Sequence, residues 1–215
     1  MMESYLVRKG APGAAPSAEA FDAANPIRVE HYLWEKEGAG YRPEVDVRLY
    51  YNAEKLFLRF RTYEANPLAR YTRENDPVYE DSCVECFLQP LPLEDDRYLN
   101  FEWNAAGAML LGLGEGRKRE RLTGLTKQLG IAARLGLRDP EDPGRTYWEL
   151  ACGIPFALIR TYFPAFRPVA GAELRGNFYK CGDATDVPHY GAWRPVRSEA
   201  PDFHRAEDFG TIRLE

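Results

Sequence analysis

The stretch PVYEDSCVECFLQP, residues 77–90, decides the fold because it reads as a loop that leads into a β-strand. Successive side chains of a strand point to opposite faces. The two faces here differ, with Val84, Cys86 and Leu88 on one and Cys83, Glu85, Phe87 and Gln89 on the other. The first row would face an apolar core, which leaves an acidic residue in the middle of the second row. Glu85 is therefore the first candidate functional residue.

Two interpretations of Glu85 stay open at this point. The simpler one is that it solvates the exposed face of a half-buried sheet. The functional one rests on its neighbours, because Tyr79 and Asp81 lead into the strand and Phe87 shares the face of Glu85. An aromatic ring beside fixed polar groups suits a sugar or a similar small polar ligand.

The composition bounds the class of protein. With 215 residues, 45% hydrophobic and 13% aromatic, the chain is long enough for one sizeable core and one domain. A net charge of -5 gives no global attraction for nucleic acid or anionic lipid, so neither is expected as a partner. No apolar run approaches the ~20 residues that cross a bilayer. The first residues lack the basic start and apolar stretch of an export signal, so the chain as written is expected to be cytoplasmic.

The cysteines lie at positions 83, 86, 152 and 181. The CxxC spacing of Cys83 and Cys86 suggests zinc or redox chemistry, but residues three apart on a strand lie on opposite faces. A second CxxC pair is absent from the sequence. The cysteines are therefore interpreted as small buried thiols, and no metal site or cofactor is predicted.

The rest of the chain predicts an all-β fold. Residues 1–26 are rich in Gly and Pro without a sustained period, which indicates an N-terminal arm or lead-in before a single domain over residues 27–215. Alternating patterns predict strands at about 27–34, 45–51, 56–61, 83–89, 97–103, 131–137, 147–152, 174–181 and 209–214, with a turn at 38–40 after the first. One short helix is predicted at 156–163, between Pro155 and Pro164. This pattern is typical of an antiparallel β-sandwich or jelly roll.

Two loops and one basic run stand out between these strands. Residues 64–81 form a long polar loop, which makes them a candidate binding loop. Residues 182–201 form a second loop that carries Trp193, a ring that either folds back onto the core or stacks on a ligand. The basic run at 117–121 is interpreted as a solvated loop or edge.

Catalytic signatures are weak. There is no GxSxG motif and no glycine pattern for phosphate. Glycoside hydrolysis needs two carboxylates held across a sugar. Glu85 with Asp81 or Glu102 could supply them, so an enzyme that acts on a sugar or glycoside remains the alternative to a binding protein.

Four spaced motifs resemble the family 9 carbohydrate-binding modules, and most closely their stand-alone "family 9-like" branch. They are YEDSCVECFL at 79–88, NFYKCG at 177–182, WRPV at 193–196 and PDFHRAEDFG at 201–210. The resemblance covers the chain from about residue 27 onward. It implies an antiparallel β-sandwich of the kind shared with DOMON domains, and a non-catalytic protein that binds a mono- or oligosaccharide.

The resemblance also implies a slot that holds a sugar between two aromatic rings. Trp193 would be one ring, and Tyr79 stands where xylanase-attached members carry a Trp, so the stacking face is smaller here. Around the slot, Glu85 and Lys180 would bond sugar hydroxyls, Glu64 would lie near the rim, and Asn177 offers a further amide. Family members can carry structural calcium, although this sequence has no dense Asp/Asn loop that fixes such a site. A haem-binding DOMON-like domain that uses Met109 and a histidine is a further alternative.

Overall fold

The computed structural model describes residues 4–13, 15–35 and 40–215. In this part of the chain there are fourteen strands: β1 (Tyr5–Lys9), β2 (Ile27–Arg28), β3 (His31–Tyr32), β4 (Glu44–Tyr51), β5 (Lys55–Tyr63), β6 (Cys83–Gln89), β7 (Tyr98–Asn104), β8 (Met109–Glu115), β9 (Lys118–Arg121), β10 (Ala132–Arg138), β11 (Thr146–Pro155), β12 (Glu173–Cys181), β13 (Tyr190–Ala192) and β14 (Gly210–Leu214). The helices are α1 (Ala18–Ala23), α2 (Thr126–Leu129) and α3 (Phe156–Tyr162), with 3-10 turns at Val78–Glu80 and Ala206–Asp208.

The strands form one curled sheet in the order β10-β11-β5-β4-β1-β14-β12-β6-β7-β8-β9. Strands β10 to β4, with β2 paired to β4, form a first layer, and strands β14 to β9 form a second layer, to which β13 and β3 are attached. Strand β1 lies between them and runs parallel to both β14 and β4. The remaining pairings are antiparallel, so the sheet is mixed.

The two layers pack face to face, which confirms a β-sandwich. Alternation in the hairpin of β4 and β5 turns Leu49 and Phe60 toward the second layer, where both are fully buried. The ring of Phe60 lies 6.2 Å from Trp103 of β7 and 6.2 Å from Phe178 of β12. The apolar row of β6 joins the same core through Val84, as its spacing predicts.

The outer face of the second layer is covered as well. A second apolar cluster there contains Cys83 and Phe87 of β6 together with Tyr179 of β12. The C-terminal segment lies over them, and the Phe203 ring stacks 4.0 Å from Tyr179. Every residue of β6 is consequently buried. Glu85, only 3% exposed, is not the solvated residue of a half-buried sheet.

Several expectations need correction. Residues 5–9 are not a loose lead-in, because they form β1 at the junction of the two layers. The predicted strand at 27–34 is split between β2, in the first layer, and β3, in the second. The single predicted helix is present as α3, and two further short helices accompany it. Positions 38 and 39 of the predicted turn lie outside the described residues. Within the described part, none of the helices is long and apolar enough to span a bilayer.

Candidate functional site

A concave pocket of about 380 Å³ opens on the outer face of the second layer, and we call it the outer pocket. Its floor consists of strand residues: Glu85, Asn100, Glu102, Leu110, Gly112, Arg119, Arg121 and Cys181. Its walls come from loops and the C-terminal segment, including Trp34, Tyr79, Asp183, Tyr190, Phe203 and His204. Small-molecule sites in proteins commonly measure about 300–1,000 Å³, and the outer pocket falls in that range.

Aromatic rings form one wall of the outer pocket. Trp34 lies edge-on to Tyr190, with ring centroids 5.9 Å apart, and 5.8 Å from Phe203. The indole nitrogen of Trp34 donates a hydrogen bond of 2.8 Å to the carbonyl oxygen of Ser198, which holds the ring in place. Tyr79 lines the same pocket from the 3-10 turn that precedes β6. These partly buried rings offer flat apolar surfaces beside a polar floor.

Two carboxyl groups lie side by side on the floor. Glu85 of β6 and Glu102 of β7 are directly opposed residues of neighbouring strands and are 3% and 4% exposed. Burial raises the pKa of Glu102 to about 7, against the lowering effect of Asn100 and nearby arginines. Burial raises the pKa of Glu85 well above its ordinary range, and the Cys181 thiol and the charge of Glu102 add to this effect. Burial therefore favours the protonated form of both carboxyls.

Asn100 connects this pair to the next strand. Its Nδ2 donates a hydrogen bond of 2.7 Å to Oε1 of Glu102. Its Oδ1 is buried without a hydrogen-bond partner among the described residues. Gly112 is the residue opposite Asn100 on β8, and a Cβ at that position would collide with Oδ1. The glycine thus makes room for the buried Asn100 side chain that holds Glu102.

The basic run lies on the largely exposed edge strand β9, as its interpretation as a solvated edge predicts, and it also contributes to the outer pocket. Arg119 and Arg121 of β9 both line the floor. Arg119 donates to the carbonyl oxygen of Gly116 at 2.7 Å and to Nδ1 of His204, while Arg121 donates to the carbonyl oxygen of Asn75 at 2.6 Å. Burial, together with the charges of the arginines, lowers the pKa of His204 to about 2, so this ring is a neutral acceptor.

Trp193 does not face Tyr79. It lines a separate cavity with residues of the N-terminal strand and β2, while Tyr79 and Glu85 line the outer pocket. Its ring is half-buried and packs 6.2 Å from Tyr5 and 5.7 Å from Phe178. The sequence left open whether this ring folds back onto the core or stacks on a ligand, and in the structure it folds back onto the core.

Lys180 and Glu64 lie in the interior of the sandwich. Nζ of Lys180 is 3.4 Å from Oε2 of Glu64, and their side chains are 0% and 4% exposed. Ser82 and Trp148 donate further hydrogen bonds to Glu64, and Nζ of Lys180 also contacts Nε2 of His189 at 2.7 Å. This buried network is saturated by its own members and does not line the outer pocket.

Asn177 and Asp81 hold loops in place. Nδ2 of Asn177 donates to the carbonyl oxygen of Arg194 at 3.0 Å, and its Oδ1 accepts from the backbone N–H of the same residue at 2.9 Å. Asp81 is fully buried and accepts hydrogen bonds from the backbone of Arg70 and from Asn104. Neither carries a group into the outer pocket.

Of the residues that the sequence singled out, the outer pocket thus brings together Tyr79, Glu85 and Glu102. Sequence reasoning missed Trp34 and Asn100. The alternation of β7 places Asn100 on the face of Glu102, and this was the available signal. Trp34 carries no comparable signal, because its position depends on the fold of a loop.

A pocket with a polar floor and an aromatic wall on a β-sandwich suits a small polar ligand. A family model described as Carbohydrate-binding family 9 matches residues 15–214. The chain therefore belongs to this family. No curated protein matches it significantly.

Solved structures agree with this assignment. A crystal structure of a candidate carbohydrate-binding protein from Bacteroides uniformis is 30% identical, with a TM-score of 0.80 and 99% of each chain covered. A family 9 module from Caldicellulosiruptor kristjanssonii in complex with glucose is 12% identical, with a TM-score of 0.65 and coverage of 99% of this chain and 96% of that one. The same kind of module with cellotriose gives 12% identity and a TM-score of 0.66, covering 99% and 94%. The two Caldicellulosiruptor likenesses establish the fold alone.

Proposed function

We propose that the outer pocket binds a mono- or oligosaccharide and does not catalyse a reaction on it. The observation that carries this proposal is the position of Tyr79 and Glu85 in one pocket whose floor also contains Glu102 and Asn100. Sugars combine C–H faces that stack on aromatic rings with hydroxyls that need both donors and acceptors. The wall and the floor supply these two kinds of partner. Glucose and cellotriose in the structures of related modules support this class of ligand.

The stacking pair differs from the one expected. Tyr79 provides one ring, and Trp34 or Tyr190 provides the other in place of Trp193, because these rings share a pocket. On the floor, a carboxyl of Glu85 or Glu102 donates a hydrogen bond to a sugar oxygen when it is protonated and accepts one from a hydroxyl when it is ionised. Arg119 and Arg121 add donors at the β9 side. For a shallow aromatic pocket we expect dissociation constants between about 1 µM and 1 mM.

Isothermal titration with glucose, cellobiose and cellotriose tests the proposal, with Trp fluorescence as a second signal because Trp34 lines the wall. Tyr79→Ala and Glu85→Gln should each weaken binding at least tenfold, while Trp193→Phe serves as the matched control outside the pocket. The absence of heat or fluorescence change with any of the three saccharides and with xylose, up to about 10 mM, would refute it.

A second candidate function is glycoside hydrolysis by the Glu85–Glu102 pair. The observation in its favour is that the two carboxyls share one pocket and a pKa near 7 lets Glu102 donate a proton at neutral pH. Asp81 is excluded as the second catalytic carboxylate, because its side chain holds a loop in place through hydrogen bonds. Release of nitrophenol from nitrophenyl glycosides, abolished by both Glu102→Gln and Glu85→Gln, would establish this function. Saccharide binding without such release would establish the first.

A further inference from the structure

Two cysteines that are distant in sequence meet at one side of the outer pocket. Cys83 of β6 and Cys181 of β12 are directly opposed across an antiparallel pair of strands. Directly opposed residues place their Cβ atoms about 4.5–5.5 Å apart on one face. All four cysteines of the chain are free thiols. This cross-strand pair differs from the CxxC pair, because Cys86 points into the core on the opposite face of β6.

Glu85 completes the group from the next position on the same face of β6. One ligand atom each of Cys83, Glu85 and Cys181 lies within 4.8 Å of the other two. The Cys181 thiol donates to Oε1 of Glu85 at 3.1 Å. In a tetrahedral zinc site the edges are about 3.8 Å between two sulfurs and about 3.5 Å between sulfur and oxygen. The observed spacing requires only small side-chain rotations to reach these values.

The surroundings favour a cation at this point. Glu102 lies directly opposite Glu85, and Asp183 lines the same pocket two residues after Cys181. The three groups are buried among these acidic neighbours. A divalent ion offsets the cost of deprotonating such buried ligands, and thiolates select soft ions such as Zn²⁺.

The group also has access to solvent on one side only. Cys181 and Glu85 line the outer pocket, whereas Cys83 is fully buried beneath them. Three protein ligands with an open fourth position are the arrangement of zinc sites that bind water or another small ligand. The fourth position here would face the pocket.

We propose that Cys83, Cys181 and Glu85 form a binding site for a thiophilic divalent cation such as Zn²⁺, with its fourth coordination position open to the outer pocket. The cation site does not require the proposed saccharide function, since the three side chains would hold the cation in a protein that binds no sugar. Where both are present, Glu85 is shared, and the bound cation should change saccharide affinity.

Cobalt titration of the fully reduced protein in the absence of sugar tests the site, because cobalt bound to thiolate shows a charge-transfer band in the near ultraviolet. The expected result is one Co²⁺ per chain with this band, displaced by one Zn²⁺. Cys83→Ala and Cys181→Ala should each abolish stoichiometric binding, and Glu85→Gln should weaken it at least tenfold. Cys86→Ala, on the same strand but facing the core, is the matched control and should bind normally.

Circular dichroism and melting temperature show that each variant is folded before it is compared. Absence of the band in the reduced wild-type protein would overturn the proposal. A band that survives both Cys83→Ala and Cys181→Ala would overturn it equally, as would a Cys83–Cys181 disulfide that persists in reductant. Saccharide titration of the same samples without metal tests the proposed function separately, so that a failure of the cation site can be told from a failure of saccharide binding.

Discussion

Glu85 and Glu102 are directly opposed on β6 and β7, and both carboxyl groups lie on the floor of the outer pocket. Two buried carboxyls at neighbouring positions disfavour each other's ionisation. Burying both carboxyls in the outer pocket therefore lowers the stability of the folded protein. Ionisable groups in such unfavourable positions are common at binding and catalytic sites.

The first prediction concerns the pH dependence of stability. The pKa of Glu102 is raised from its ordinary 4.5 to about 7, so its contribution is favourable below pH 4.5 and is lost as the pH rises through 7. The shift corresponds to about 3 kcal/mol. Glu102→Gln, which still accepts from Asn100, should flatten the decline in unfolding free energy between about pH 5 and pH 8.

Urea unfolding of wild type and variant at several pH values measures this effect. Glu173→Gln, an exposed carboxyl on β12, is the control and should follow the wild-type profile. A Glu102→Gln profile parallel to that of the wild type would contradict the prediction.

The second prediction concerns Gly112. In Gly112→Ala the added Cβ pushes Asn100 away, which breaks its hydrogen bond to Glu102 and disturbs the floor of the outer pocket. Saccharide affinity should fall at least tenfold, and stability by about 1–3 kcal/mol. Gly13→Ala, where the new Cβ meets no atom within 4 Å, should change neither. Calorimetric titration checks the first effect and thermal unfolding the second; unchanged affinity in Gly112→Ala would remove Asn100 from the site.

The third prediction separates Trp193 from the ligand. Since its half-buried ring packs on Tyr5 and Phe178, Trp193→Ala should lower the unfolding free energy by about 2 kcal/mol. Saccharide affinity of the folded variant should stay within about twofold of wild type, because its cavity is separate from the outer pocket. Tyr79→Ala should show the reverse pattern. A tenfold loss of affinity in Trp193→Ala, measured at a temperature where the variant is folded, would instead support the predicted slot between Tyr79 and Trp193.

The fourth prediction concerns the buried Lys180–Glu64 pair. Lys180→Met leaves the Glu64 carboxylate buried without its cation and should cost about 3–5 kcal/mol. The double variant Lys180→Met/Glu64→Gln should cost less than the sum of the single variants, because no unpaired charge remains. Arg28→Met, which breaks a half-exposed pair with Glu44 and a longer contact of 3.7 Å with Asp46, should cost less, about 1 kcal/mol. Urea unfolding gives all these values, and additive losses in the double variant would argue against a coupled pair.

The fifth prediction concerns the N-terminal strand. Val7 of β1 is fully buried, while Leu6 beside it is 41% exposed. Val7→Asp places a charge in the core where β1 joins the two layers, and it should cost at least about 4 kcal/mol. Leu6→Asp should be tolerated within about 1 kcal/mol. Melting temperatures decide the matter; equal effects of the two substitutions would support the loose arm that the sequence suggested.

The sequence was a good guide to structure wherever local alternation decided it. The spacing of β4, β5, β6 and β7 predicted which residues enter the core, since a strand has a strict period of two. Residues 5–9 were missed as a strand because a short segment between parallel neighbours has no turn or hairpin signal of its own. Alternation along one strand predicted the opposite faces of Cys83 and Cys86 correctly. The contact between Cys83 and Cys181 was not predicted, because it depends on the pairing of two strands that are distant in sequence.

The chain by itself determined the sandwich and the family, because these follow from local periodicity and from spaced motifs, and it singled out Tyr79 and Glu85 as candidate site residues. Only the tertiary structure decided which residues accompany them. Strand register placed Glu102 opposite Glu85 and Gly112 opposite Asn100, while loop packing brought Trp34 to the pocket and turned Trp193 to the core. Register and loop packing depend on contacts between residues far apart in sequence, and those contacts exist only once the layers have closed around the core.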